Sequence, residues 1–248
     1  MPRFGSAAWV NDTRLSPLYY PNIVTLDPAV DAVALEPEID ALVGSEGFAG
    51  FSIKDSFSRL DLSARGFRLL FDATWIVKPA SVAAASAHGL RWSLADSATR
   101  LAEWEAAWWA HSIGTPCPGE PLFPAALLND AAASFLIGRD VASNAVVAGC
   151  ALMKAAGCVG LACCFDASAD PTATLREMLA EAHRLHPTQP MVGYDSGAAL
   201  AGALAAGFEL CGPLRVWVHP QLRGATPMSR GSLSSARPAV AQPPPPRR

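Results

Sequence analysis

The chain has 248 residues, 51% of them hydrophobic and 17% charged, with a formal net charge of −3. That supplies enough apolar material for one large domain or two modest ones, and it excludes the basic face that nucleic-acid binding demands. No stretch joins a basic start, an apolar core and a small-residue cleavage site, so the expectation is a cytoplasmic protein that neither carries a secretory signal nor docks on a membrane.

In chain order, the first element is an apolar helix candidate from Val33 to Val43. The segment 51–56 then reads Phe-Ser-Ile-Lys-Asp-Ser, and after a helix-length gap comes Gly66-Phe67. A strand follows in which Phe67, Leu69, Phe71, Ala73, Trp75 and Val77 fall on one face, and Arg68, Asp72, Thr74 and Lys78 on the other. A strand patterned this way needs a sheet to join or to cover it.

From about His88 a second unit begins. Leu90 to Leu94 reads as a strand, and Asp96 or Ser97 caps a helix whose Leu101, Trp104 and Trp108 share one face. Gly114 to Pro124 is loop. Three strands are expected over Ser134–Arg139, Ala145–Met153 and Cys158–Phe165, joined by hairpin-length turns. Val141 to Phe165 carries one charge, Lys154, and is about long enough to span a bilayer, but its glycines and polar breaks predict two short buried strands instead. A helix from Pro171 to Leu185 opens on Asp170, with the proline in the first turn. Met191 to Tyr194 is a short strand, and Asp195 and Ser196 are N-cap residue types for a helix over Ala198 to Ala206. Gly207 ends that helix, and Phe208 to Val218 is a strand interrupted by Gly212-Pro213. From about Leu222 the sequence is rich in Pro, Ser, Gly and Arg, and such a tail cannot repay its ordering entropy.

Six cysteines, at 117, 150, 158, 163, 164 and 211, form no CxxC pair and lie at no zinc-site spacing from a histidine. They read as reduced thiols, four of them in apolar strand-like runs, and no metal site is expected. Cys163 and Cys164 are strand neighbours and point to opposite faces. His183 and His186 can share a helix face, but no carboxylate or cysteine completes a metal site with them.

The element order from residue 88 onward, with the Val146 to Leu152 stretch VVAGCAL and the Gly207-Phe208 break, resembles the GNAT acetyltransferase superfamily. The resemblance implies a mixed α/β (α+β) fold, a central mixed sheet with an antiparallel meander and flanking helices. It covers residues 88–221, between an N-terminal half unit over 1–87 and the tail 222–248. In both units an Asp-Ser pair precedes Gly-Phe, and a strand with a tryptophan, Trp75 or Trp217, follows. Either the first 87 residues repeat the later half of the GNAT unit, or common helix-Gly-strand punctuation has produced the echo by chance.

The resemblance also implies an acyl-CoA-dependent N-acyltransferase, with acetyl-CoA between the fourth and fifth strands of the unit and an amine or other small-molecule acceptor. Its diphosphate would lie on the stretch from Phe165 to Thr174, where Phe165, Ala167, Thr172, Ala173 and Thr174, with Ser196 nearby, are the candidate contacts. That stretch has no glycine and no arginine, and it brings Asp166 and Asp170 close to the phosphates. Where many members of the superfamily have a tyrosine acid, this chain has Ala203. Tyr194 and Asp195 are the candidate acid and base, with half-buried strand residue and helix cap as their purely structural reading. The missing glycines, the acidic loop and Ala203 point to an alternative, a non-catalytic binding or assembly module of the same fold.

Overall fold

The structure is a computed structural model and describes residues 3–4, 8–10, 21–43, 52–80, 89–113 and 121–219. His88, Cys117, the loop 114–120 and the tail 222–248 lie outside the described residues. Strands are β1 (Arg3–Phe4), β2 (Ala8–Val10), β3 (Ile23–Thr25), β4 (Ser52–Asp55), β5 (Arg68–Lys78), β6 (Leu90–Leu94), β7 (Ala133–Asp140), β8 (Val146–Ala155), β9 (Cys158–Asp166), β10 (Met191–Asp195) and β11 (Glu209–Val218). Helices are α1 (Glu36–Val43), α2 (Ala98–Trp108), α3 (Pro171–Leu185) and α4 (Gly197–Ala205).

Among the described residues these strands make one sheet, in the order β1-β2-β3-β4-β11-β5-β10-β9-β8-β7-β6. β6 to β9 are an antiparallel meander, as the short turns require. The stretch read as two buried strands rather than a span is the β8–β9 hairpin, and no described helix is long and apolar enough to cross a membrane. β10 then runs parallel to β9 on one side and antiparallel to β5 on the other. The strand from the first 80 residues that needed a sheet therefore sits in the middle of it, between β11 and β10.

The pairing scheme has two-fold symmetry about the β11–β5 contact. Going inward, β1-β2-β3-β4-β11 is joined antiparallel, antiparallel, parallel, antiparallel, and β7-β8-β9-β10-β5 is joined in the same sequence. A helix links the third and fourth strands in each series, α1 in one and α3 in the other.

Three apolar clusters hold the layers together. Leu175, Met178, Leu179 and Ala182 of α3 pack with Cys150, Leu152, Val159 and Met191 of the sheet. Leu101, Trp104 and Trp108 of α2 pack on the other side of the meander, with Phe135, Ala151 and Phe165. Ile39 and Leu42 of α1 join Ile53, Phe67 and Trp217.

Two expectations need correction. β5 does not bury one clean face, because Leu69 is 41% exposed whereas Ile76 is 1% exposed within the α3 cluster. A register shift between Val216 and Trp217 pairs them with Phe71 and Leu69, which leaves Leu70 over and reverses the alternation there. Farther along, Ile76 packs into the α3 cluster while Phe71 and Trp75 on the opposite face are only half-buried, so the larger apolar set does not mark the buried side. The second correction is at α4. Ser196 stands at the N-cap with extended backbone, but its side chain accepts no first-turn amide, and Asp195 is the last residue of β10. Asp170 does cap α3, and Ser97 caps α2.

Candidate functional site

The sheet opens where its parallel pair stops. β9 and β10 pair at Val159 with Met191 and at Gly160 with Val192, and among the described residues the ladder ends there. β9 continues to Asp166 and β10 to Asp195 without mutual pairing, which leaves a wedge with strand edges on both sides. On the α2 side its floor is open, with Ala162 exposed and Gly160, Val192 and Tyr194 half-buried. A bulge sharpens the splay, since Gly149 pairs with Phe165 and Ala151 with Ala162, and Cys163 takes a left-handed φ of 51°.

The loop that closes the wedge is tied to itself. Ala167 N donates to Val147 O (2.7 Å), and Ser168 N donates to Asp166 Oδ1 (2.7 Å). At the start of α3, Asp170 Oδ1 accepts from Thr172 N (3.1 Å) and Ala173 N (3.0 Å), and Asp170 O accepts from Thr174 N (3.0 Å). Thr174 Oγ1 lies 2.6 Å from Ser168 Oγ. The amides that a diphosphate would need at this helix N-terminus already serve a carboxylate of the same chain. The positive end of the helix dipole is complemented by that acid, so the loop as built does not fit a diphosphate.

The other candidate residues divide by side. Phe165 is 1% exposed and packs against Trp104 and His111, so it is core. Ser196 is half-buried beside the wedge. Tyr194 is directly opposite Trp75 and reaches the open face, where its ring lies edge-on to Trp75 at 5.4 Å and alongside Phe71 at 6.4 Å. Asp195, the next strand residue, points the other way. It is 2% exposed; a hydrogen bond with Cys150 first, and burial second, hold the Cys164 thiol well above the usual range, and the Asp195 charge adds to them. The candidate acid and base therefore face opposite sides of the sheet and do not meet. Ala203 is 0% exposed and belongs to the α3-side core.

The two helix histidines do not join either. His183 is buried with Nδ1 2.9 Å from Leu179 O, and burial lowers the pKa of His186, with Lys154 adding to it. Among the described residues no three His, Cys, Asp or Glu side chains gather to hold a metal ion.

Sequence reasoning passed over Lys54. It belongs to β4, three strands from β10 in the sheet, yet its Nζ lies 4.6 Å from the centroid of the Tyr194 ring and 5.8 Å from that of Trp75. The signal was in the internal echo, in which Lys54-Asp55-Ser56 aligns with Tyr194-Asp195-Ser196 and so places Lys54 where Tyr194 stands in the other series.

No protein-family model matches the chain, and no curated protein matches it in sequence. Solved structures do match in shape. A functionally unknown conserved protein of Staphylococcus epidermidis superposes with a TM-score of 0.64 at 10% identity, over 88% of this chain and 92% of that one. A GCN5-related N-acetyltransferase of Kribbella flavida gives 0.55 at 13% identity, over 80% of each chain. Another, from Sphaerobacter thermophilus, gives 0.54 at 13% identity, over 86% of this chain and 76% of that one. The chain has the GNAT fold, a mixed α/β architecture.

Proposed function

We propose that the protein is a divergent acyl-CoA-dependent N-acyltransferase that holds its donor by the acyl-pantetheine arm and hardly at all by the diphosphate. The observation that carries this reading is the β9–β10 wedge. Its two unpaired strand edges offer amides and carbonyls to an extended chain containing amide groups, much as a sheet edge accepts another strand. The residues of the chain then have limited tasks. The edges orient the arm, Gly160 and Ala162 leave room above the floor, and Tyr194 is the accessible proton donor beside it. An acceptor amine approaches from the open α2 side.

The test is calorimetry with acetyl-CoA and with S-acetylpantetheine. The two should bind with affinities within a few-fold of each other, because the diphosphate gains little at a capped helix. Asp170→Asn should tighten acetyl-CoA and leave S-acetylpantetheine unchanged. Strong preference of the parent for acetyl-CoA would show that the diphosphate is held after all. The Asp170 cap itself favours a second reading, a non-catalytic binding module of the same fold. Absence of binding by either ligand, in the parent and in the Asp170→Asn variant, would decide for it.

A further inference from the structure

The open face beside the wedge contains a cation, Lys54, and two rings, Trp75 and Phe71, that the acyl-transfer reading leaves without a task. Trp75 and Tyr194 are cross-strand neighbours, and Phe71 adds a third ring. The platform is fixed, since Trp75 Nε1 donates to Ser56 O at 2.9 Å. Lys54 lies over it, half-buried, and among the described residues no carboxylate is within salt-bridge range. The ion pair of Arg215 with Asp72 in this central region uses strand positions of opposite parity and so faces away. An ammonium over rings keeps N–H groups for an anion, because the rings engage one side of it. Its field reaches the wedge as well, where it draws the Cys163 thiol downward against the stronger effect of burial.

We propose that Lys54, with Trp75, Tyr194 and Phe71, forms an acceptor-recognition corner selecting a small amine that carries a carboxylate on an aromatic or apolar body. The carboxylate pairs with Lys54 Nζ, the body rests on the rings, and the amine is directed to the β9–β10 wedge. The word acceptor rests on the acyltransferase reading, but the binding preference does not. The N-terminal series of strands thereby contributes to the site of the C-terminal one. Lysine acts here as a point charge on a long stem, which suits a single carboxylate.

The experiment is calorimetry on the full chain, without any acyl donor, using L-phenylalanine, L-phenylalaninamide and phenethylamine. These share ring and amine and differ in the carboxylate. L-Phenylalanine should bind at least about tenfold more tightly than either of the others, as expected for a charge-assisted hydrogen bond. Lys54→Met should abolish that preference and improve phenethylamine, whose ammonium no longer meets a like charge. Lys54→Arg should keep the preference, and circular dichroism with a melting curve checks that both variants fold. Equal binding of acid and amide by the parent, an unchanged preference in Lys54→Met, or no binding of any of the three would overturn the proposal. In that case Lys54 only covers apolar surface with its stem. Because no donor is present, this outcome is separate from success or failure of acetyl-CoA or S-acetylpantetheine binding.

Discussion

A methyl group at Gly149 would stand 2.6 Å from Leu136 O, 2.7 Å from Trp104 Nε1 and 2.8 Å from Phe165 Cε1. One of those atoms is backbone of a neighbouring strand and cannot swing away. Gly149→Ala should therefore destabilise the protein by about 2 kcal/mol, the usual scale of overpacking, and lower Tm by roughly 4–8 °C; an unchanged denaturation midpoint would contradict the packing of α2 on β8. The cysteines give a second prediction at this scale. Desolvation first, and Cys150 second, push the Cys163 thiol up to about 12, while Cys150 and Cys164 are buried and Cys211 is exposed. Thiolate is the reactive form. Iodoacetamide at neutral pH should thus label Cys211 well before Cys163 or Cys164, read by peptide mass spectrometry, and the buried pair should react only on unfolding. Rapid native labelling of Cys164 would mean that the wedge opens more deeply than described.

Among elements, α3 shows most directly how local chemistry can be read. Asp170 and Pro171 define its start in the sequence, and both do so in the structure. Asp170→Ala should cost about 1 kcal/mol in urea denaturation, whereas Asp170→Asn, which keeps an acceptor at the cap, should cost little. Equal losses in both variants would assign the effect to the charge rather than the cap. At the far end of α4, Gly207 has φ of 91°, and a Cβ there would lie 2.7 Å from Lys78 Nζ, which donates to Ala206 O at 2.9 Å. The glycine that ends the helix in the sequence thus also admits a lysine from β5, a contact that no local pattern contains. Ser196 is the opposite case, a residue type suited to capping whose side chain accepts no first-turn amide.

For the molecule as a whole, β5 decides how the parts depend on each other. A chain beginning at His88 would lose the strand between β11 and β10, exposing the inner edges of both. It should be insoluble or should lack a cooperative melting transition, while the full chain should unfold in one transition monitored by near- and far-ultraviolet dichroism. A soluble, cooperatively melting short chain would require β11 and β10 to pair without β5. Features that neighbouring residues enforce are legible in the chain alone. The meander is set by short turns, α3 by its cap and first-turn proline, and the break after α4 by Gly207. The GNAT order of elements is legible for the same reason. Tertiary structure alone decided the rest, because those features depend on residues far apart in the chain. The place of β5 between β11 and β10, the bulge that turns Leu69 outward, and the meeting of Lys54 with Tyr194 follow from pairing across more than a hundred positions. Periodicity tells a strand which face is apolar, but it carries no information about which strand will lie beside it.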